Sequence, residues 1–257
     1  MANSPFLSTL WMFLVPLFAI LLPLWLGQRY GLYIRKRSGE MEDAPISSAV
    51  GASLALFAFM LAFTFDMVGD RFAKRKELFV NEVSDIRATY LNAGLVPEPI
   101  RSQARNFIIE YVDLRVELRR DLSKLEQVKV KSQAILDSLW HYSEELAAQD
   151  RSSEAYSLFT SSVSNLVNSF NERITVALQF HIPPAILYVL SFVGFFSTLA
   201  LGFQFGVSGR VSFLVNLLIG ITFAAVMWLI FALDHPEAGL IKISDAPLMT
   251  LQQQLHH

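Results

Sequence analysis

The sequence predicts an all-α integral membrane protein with four transmembrane helices, two plus two, around a long-helix extramembrane domain. Three observations predict this fold class. Four apolar spans lie in two pairs at the ends of the chain, and about 115 residues between the pairs are charged and follow helical periodicity. The composition agrees, because 53% of the 257 residues are hydrophobic and only 17% are charged. The lipid bilayer is therefore the first partner that we expect.

Charge and residue types exclude several other partners and cofactors. The formal net charge of −2 provides no long-range field that would recruit nucleic acid, and no run of Lys and Arg exceeds three residues. The chain has no Cys, which excludes disulfides, thiolate metal sites and iron–sulfur clusters. We therefore expect no nucleic-acid partner and no cofactor.

Residues 1–65 are predicted to hold the first two transmembrane helices. The first span, from Pro5 to Gly27, carries no charge and is long enough to cross a hydrocarbon core of about 30 Å. It has neither a preceding basic segment nor an evident cleavage site, so we interpret it as an anchor and not as a signal peptide. Pro16 and Pro23 lie two helical turns apart and predict kinks on one face.

The second span begins at Ile46, and its helical pattern continues past Phe65, where the membrane-spanning part is predicted to end. Apolar residues recur at steps of three, four or seven, and helix-breaking residues first cluster between Asn92 and Pro99. The span and its extension therefore predict one helix of about 47 residues, about 70 Å long.

Residues 181–233 are predicted to hold the third and fourth transmembrane helices, 185–205 and 211–233. Small or polar residues recur at every fourth position in both: Gly194, Thr198, Gly202 and Gly206 in the third span, and Ser212, Asn216, Gly220 and Ala224 in the fourth. The short connection from Gly206 to Arg210 predicts an antiparallel hairpin. We expect the two helices to pack tightly against each other. The alternative is that Asn216 faces water or a partner.

Residues 66–180 are predicted to form a helical extramembrane domain, followed by a C-terminal tail at 234–257. Apolar residues at helical spacing mark helices near 100–118 and 135–146, joined with little or no break. A third helix, 156–177, carries a coiled-coil-like seam, and Pro183 and Pro184 stop it before the third span. Charges flanking the spans do not settle which side of the membrane this domain faces. Whether His256 and His257 are native or begin a purification tag also stays open.

Five segments carry a resemblance to a known family. They are LAFTFDMVGDRFAKRKELFVNEVSDIRATYL at 61–91, LVPEPIRSQARNFIIEYVDLRVEL at 95–118, LVNSFNERITVAL at 166–178, GFQFGVSGR at 202–210 and LDHPEAGLIKISDAPL at 233–248. They resemble the bestrophin-like membrane proteins, a domain of unknown function related distantly to bestrophin chloride channels. The resemblance implies a cytosolic helical domain in a homo-oligomer with a central axis, of which a pentamer is one candidate, in the cell inner (plasma) membrane.

The resemblance also implies a pore. In bestrophins the second span lines the pore and narrows it with apolar residues at four-residue intervals, which maps here onto Phe59 and Phe63. A ring of these side chains would form a hydrophobic constriction that gates by dewetting. The alternative is that both residues meet lipid or neighbouring helices. The sequence shows no acidic calcium-clasp run near the membrane, so calcium gating is not carried over.

Two carboxylates follow this constriction and leave the ion selectivity open. In a symmetric ring Asp66 would place several carboxylates at one pore mouth, which favours cations, whereas the resemblance favours anions. Asp70 and Lys74 stand at positions i and i+4, so local ion pairing is the favoured role of this second pore-mouth carboxylate. Small inorganic ions are the expected permeant species.

Enzymatic and metal-binding interpretations have little support. Asp137, His141 and Glu145 share one helix face, but mixed charge on an exposed helix explains them without a metal. Phosphate-binding loops and nucleophile elbows are absent from the sequence, so we do not expect an enzyme. The stronger rival to a channel is a non-conducting membrane scaffold or sensor that signals through its helical domain.

Overall fold

The computed structural model describes residues 5–38, 43–179, 182–209, 212–234, 241 and 243–256. Within these residues the chain forms eight α-helices and one short 3₁₀ turn, and no strand occurs. The helices are α1 (Pro5–Ser38), α2 (Asp43–Ala93), α3 (Ile100–Arg120), α4 (Leu125–Gln149), α5 (Glu154–Gln179), α6 (Pro184–Ser208), α7 (Phe213–Asp234) and α8 (Ala246–His256). The all-α prediction is confirmed. Arg210 and His257, named above, lie outside the described residues.

Four of these helices are long and apolar enough to cross a membrane: Leu10–Arg37, Pro45–Ala93, Pro184–Ser208 and Phe213–Asp234. The chain divides into two compact units. The membrane unit comprises Met1–Ala73 and His181–Lys242, and the helical unit comprises Lys74–Phe180 and Ile243–His257. The predicted assignment of the helical domain to the cytosol stays a prediction.

Helix α2 is continuous over 51 residues, which confirms the single helix predicted from the apolar periodicity. It contains no interior proline after its first turn, so no backbone donor is lost along its length. It ends at Ala93, where a turn forms: Gly94 N donates to Leu91 O over 3.0 Å and Leu95 N donates to Asn92 O over 2.9 Å. The predicted breakers therefore end the helix at the predicted place.

Helix α1 is longer than predicted, because it continues past Gly27 to Ser38 and keeps both Pro16 and Pro23 inside it. Arg35, Lys36 and Arg37 occupy its last turn, where cations complement the negative end of the helix dipole. The extra turns matter because they contain further residues that contact α6 and α7.

Glycines bring α1 and α6 into backbone contact. A Cβ added at Gly202 would lie 2.0 Å from Leu24 O, and one at Gly206 would lie 2.4 Å from Gln28 O. The contact is reciprocal, since Gly27 and Gly31 of α1 lie equally close to the backbone of α6. The predicted partner was wrong: the third span uses these glycines against the first span, not the fourth. The matching glycines of α1 sit at and beyond the predicted end of that span.

The helical unit has a core built from one face of each of its helices. In α5 the side chains of Phe159, Val163, Leu166 and Phe170 are buried, at the spacing predicted for the seam. Helix α8 buries Leu248, Leu251 and Leu255 in the same core. Polar contacts also hold α8 to α3, because Gln252 Nε2 donates to Asp113 Oδ1 over 2.7 Å.

A buried carboxylate lies within this unit. Glu82 is 1% exposed, accepts a hydrogen bond from the Tyr111 hydroxyl over 2.6 Å and lies 3.4 Å from Arg115 Nε. Arg173 also contacts Glu82. Burial raises the pKa of Tyr111 to about 12, because a phenolate would be poorly solvated there, and Arg115 partly opposes that rise. Two guanidinium groups and a hydroxyl thus compensate one buried charge.

Candidate functional site

Helix α2 has one buried face and one open face within the membrane unit. The buried face contains Val50, Phe57, Leu61, Thr64 and Val68. The opposite side, which we name the α2 open face, consists of exposed residues at helical spacing: Gly51, Ala55, Phe59, Phe63, Asp66 and Asp70. Both faces follow the 3.6-residue period of a helix. Because the buried face packs inside the membrane unit, the α2 open face points away from it.

Aromatic packing holds the buried face in place. The rings of Phe57 and Phe223 have centroids 5.0 Å apart, which joins α2 to α7. Gly194 of α6 leaves room for the Phe57 ring, since an added Cβ would lie 2.7 Å from its Cε2 atom. The Thr64 hydroxyl donates to Met60 O over 2.7 Å, so this buried polar group is satisfied within its own helix. These contacts determine the direction in which the open face points.

Phe59 and Phe63 are the largest apolar side chains of the α2 open face. They are 65% and 52% exposed, and both lie in the apolar part of α2, before its predicted end at Phe65. One turn separates them, about 6 Å along the axis. A Cβ added at Gly51, two turns before Phe59, would meet no atom within 4 Å. The predicted constriction residues therefore lie on a surface that the membrane unit itself does not cover.

Asp66 and Asp70 extend the α2 open face with two exposed carboxylates. Among the described residues neither aspartate forms an ion pair. Lys74 Nζ instead lies 3.2 Å from Glu77 Oε2, and Arg71 Nη2 points to Met67 Sδ at 3.6 Å. The favoured pairing of Asp70 with Lys74 was therefore wrong, because Lys74 is taken by a carboxylate three residues further along the helix.

The predicted polar and glycine positions of the fourth span contact α1. Asn216 Nδ2 donates to Gln28 Oε1 over 3.0 Å, and Gln28 is only 6% exposed. A Cβ added at Gly220 would lie 2.5 Å from Leu21 Cδ2. Asn216 thus meets a partner inside its own subunit. Sequence reasoning missed Gln28, which follows the predicted end of the first span. The signal that could have identified Gln28 is its position: its amide side chain lies between Gly27 and Gly31.

The three residues considered for a metal do not gather in the structure. Gln133 Nε2 donates to Asp137 Oδ1 over 2.8 Å, and His141 Nδ1 lies 3.8 Å from Glu144 Oε2. In the part of the chain that the structure describes, no group of three or more His, Cys, Asp or Glu side chains could hold a metal ion.

Similar proteins were found by family and by fold. The model of the Bestrophin-like domain matches residues 24–248. No curated protein matches the chain. Crystal structures of variants of a bacterial Bestrophin homologue from Klebsiella pneumoniae share its fold. One is 18% identical with a TM-score of 0.68, covering 93% of this chain and 97% of that one. A second is 17% identical with a TM-score of 0.72, covering 96% and 97%.

Fold and family agree on the same architecture. The family match at 24–248 includes most of the four apolar helices and of the helical unit. The alignments with the solved structures cover nearly the whole chain. At under 20% identity these structures support the fold alone. On the family match, which covers most of its length, this chain belongs to the Bestrophin-like family.

Proposed function

We propose that the protein is a homo-oligomeric membrane ion channel of the bestrophin-like type, in which the α2 open faces of the subunits surround a central axis. The observation that carries the proposal is the uncovered α2 open face, with Phe59 and Phe63 followed by Asp66 and Asp70. Family membership supports it, because a pore lined by the second span is the arrangement that the bestrophin resemblance implies.

The geometry of one subunit supports the proposed assembly. A water-filled path needs polar walls or a wide lumen, whereas the membrane unit packs its four helices around buried apolar side chains. The path must therefore run between subunits. In a ring of subunits the α2 open faces would surround an aqueous axis, and Asp66 and Asp70, which follow the predicted end of the span at Phe65, would be hydrated at its mouth.

The order of residues along this face assigns two roles. Phe59 and Phe63 narrow the path with apolar rings and gate it by dewetting. Asp66 and Asp70, which have no ion pair among the described residues, supply negative charge at the adjoining mouth. That charge favours cations, whereas the resemblance to bestrophins favours anions. Whether the channel selects cations or anions is therefore to be measured.

Planar-bilayer recording under an asymmetric salt gradient tests the proposal. We expect discrete currents with a reversal potential away from zero, and an altered conductance or open probability in Phe59→Ala and Phe63→Ala. The matched control is Phe65→Ala, which removes the same side chain from the same helix but lies off the α2 open face.

The control separates a pore effect from general loss of packing. If conductance or open probability changed equally in all three variants, the effect would come from loss of helix packing and not from the pore. Silence of assembled wild-type protein would overturn the channel and favour the scaffold or sensor. Native mass spectrometry of the same preparation gives the subunit count, and a pentamer is the expected result.

A further inference from the structure

Helix α1 carries an exposed stripe that changes from apolar to aromatic and then to basic. Its members recur at steps of three and four residues, which keeps them on one face of the helix. We name it the α1 outer stripe: Trp11, Val15, Phe18, Leu22, Trp25, Arg29, Tyr33 and Lys36, with Arg37 beside its end. All of these side chains are exposed in the membrane unit, whereas the opposite face of α1 packs on α6 and α7.

The spacing of aromatic residues along the stripe matches a bilayer. Trp11 and Tyr33 are each more than half exposed and lie about 33 Å apart at 1.5 Å per residue. The hydrocarbon core is about 30 Å thick, and Trp and Tyr concentrate at its two boundaries. Lys36 and Arg37 follow Tyr33 directly, so they lie at the level of the lipid headgroups. Arg29 lies one turn, about 6 Å, before Tyr33, a distance that a long arginine side chain can span to reach the same level.

Two cations of this stripe, Arg29 and Arg37, have aromatic neighbours, and among the described residues none of its cations has a carboxylate partner. The Arg29 guanidinium lies 5.0 Å from the centre of the Trp25 ring, and Arg37 Nη1 lies 3.5 Å from the Tyr33 hydroxyl oxygen. Helix α1 contains no Asp or Glu, and no ion pair of Arg29, Lys36 or Arg37 occurs among the described residues. These positive charges are therefore available to an anion outside the subunit.

Two structural roles account for some of the cations at this helix end, but not for Arg29. The helix dipole favours cations in the last turn, which covers Lys36 and Arg37, but Arg29 lies more than two turns before Ser38. Arg35 is turned towards the protein, because its guanidinium lies against Gly209, the left-handed residue that ends α6. Unlike Arg35, the side chains of Arg29, Lys36 and Arg37 are exposed.

We propose that the basic end of the α1 outer stripe binds the phosphate of an anionic phospholipid, with an acyl chain lying along its apolar part. Guanidinium groups suit a phosphate because they can donate two parallel hydrogen bonds to its oxygens. In a zwitterionic lipid the headgroup's own cation competes for that phosphate, so an anionic lipid binds more tightly. This inference is independent of ion conduction, since it needs only insertion into a membrane.

Fluorescence quenching in reconstituted full-length protein tests the inference. Changing Trp11, Trp140 and Trp228 to Phe leaves Trp25, beside Arg29, as the only tryptophan, which is excited selectively over the seven tyrosines at the red edge of the absorption band. Brominated phosphatidylglycerol and brominated phosphatidylcholine are then compared as quenchers in otherwise identical vesicles. We expect stronger quenching by the anionic lipid, and a weaker preference at high salt because the headgroup contact is electrostatic.

Two triple variants identify the source of the preference. Changing Arg29, Lys36 and Arg37 to Gln is expected to reduce the preference at least fivefold, since a single cation near an anionic membrane surface changes binding about fivefold. The matched control changes Arg87, Lys131 and Arg151 to Gln, which removes the same charge from exposed positions of the helical unit. The control should keep the wild-type preference.

Three results would overturn the proposal. They are equal quenching by both lipids, the same preference in both triple variants, and no quenching by either lipid, which would mean that a second copy of the chain covers the stripe. If the single-tryptophan background fails to assemble, native mass spectrometry of the wild type and the two triple variants counts bound phosphatidylglycerol directly, with the same expected order.

Discussion

The backbone contact between α1 and α6 makes Gly202→Ala the sharpest test of the membrane unit. The added Cβ would lie 2.0 Å from Leu24 O and 2.8 Å from Leu24 C. An ordinary carbon–oxygen contact is about 3.4 Å, so α1 and α6 must separate locally by more than 1 Å. Neither atom belongs to a side chain that can rotate away, because both are part of the α1 backbone.

The expected cost follows from this displacement. Overpacking a tightly packed site costs about 1–3 kcal/mol, and here the separated helices also lose contacts at the neighbouring glycines. The new alanine itself favours the helix by about 0.5–1 kcal/mol, which partly offsets that cost. We expect a net loss of about 1–2 kcal/mol, seen as an apparent Tm lower by about 2–8 °C for a chain of this size.

Thermal unfolding of the detergent-solubilised protein, followed by tryptophan fluorescence, measures the effect. The matched control is Gly69→Ala, also within a helix of the membrane unit, where an added Cβ would meet no atom within 4 Å. That variant should be as stable as the wild type or slightly more stable. If Gly202→Ala unfolded at the same temperature as Gly69→Ala, the close approach of α1 and α6 would be refuted.

Two further predictions concern buried polar groups. The pKa of Tyr111 is about 12 in the folded protein against an ordinary 10, so its contribution to stability is complete below pH 10 and is lost as the pH rises towards 12. Tyr111→Phe, which also leaves Glu82 without a hydroxyl donor, should flatten that pH dependence in alkaline unfolding experiments, and an unchanged slope would contradict it. Gln28→Leu and Asn216→Leu should each leave the other amide unpaired in the membrane unit. A double-mutant cycle of thermal stabilities should therefore give a favourable coupling of about 0.6 kcal/mol, and strict additivity would count against the hydrogen bond.

Local patterns predicted most of the fold because long apolar spans and helical periodicity are properties of consecutive residues. The continuous α2 could be expected from residues 46–92, since no helix breaker interrupts them and their apolar stripe stays on one side. The buried seam of α5 followed from steps of three and four in the same way. The end of α1 was missed because Gln28 and Arg29 suggested the end of a span, whereas the helix continues to Ser38.

The candidate site was predictable only in part. Phe59 and Phe63 came from the family resemblance, and the structure adds that both are exposed on the side of α2 opposite Phe57. Their role in a pore stays a prediction. The ion pair of Lys74 was assigned to the wrong carboxylate, because residues three and four positions away on a helix are both within reach and differ little in energy.

The sequence by itself determined the membrane character, the four spans, the long second helix and the family. Each of these depends on composition or on short-range periodicity, which a chain carries in every conformation. Only the tertiary structure decided which helices meet: Gly202 lies against α1, Asn216 pairs with Gln28, and Glu82 gathers Tyr111 and two arginines. A stripe of small or polar residues shows that a helix packs closely, but its partner depends on helices distant in sequence reaching complementary positions at the same depth.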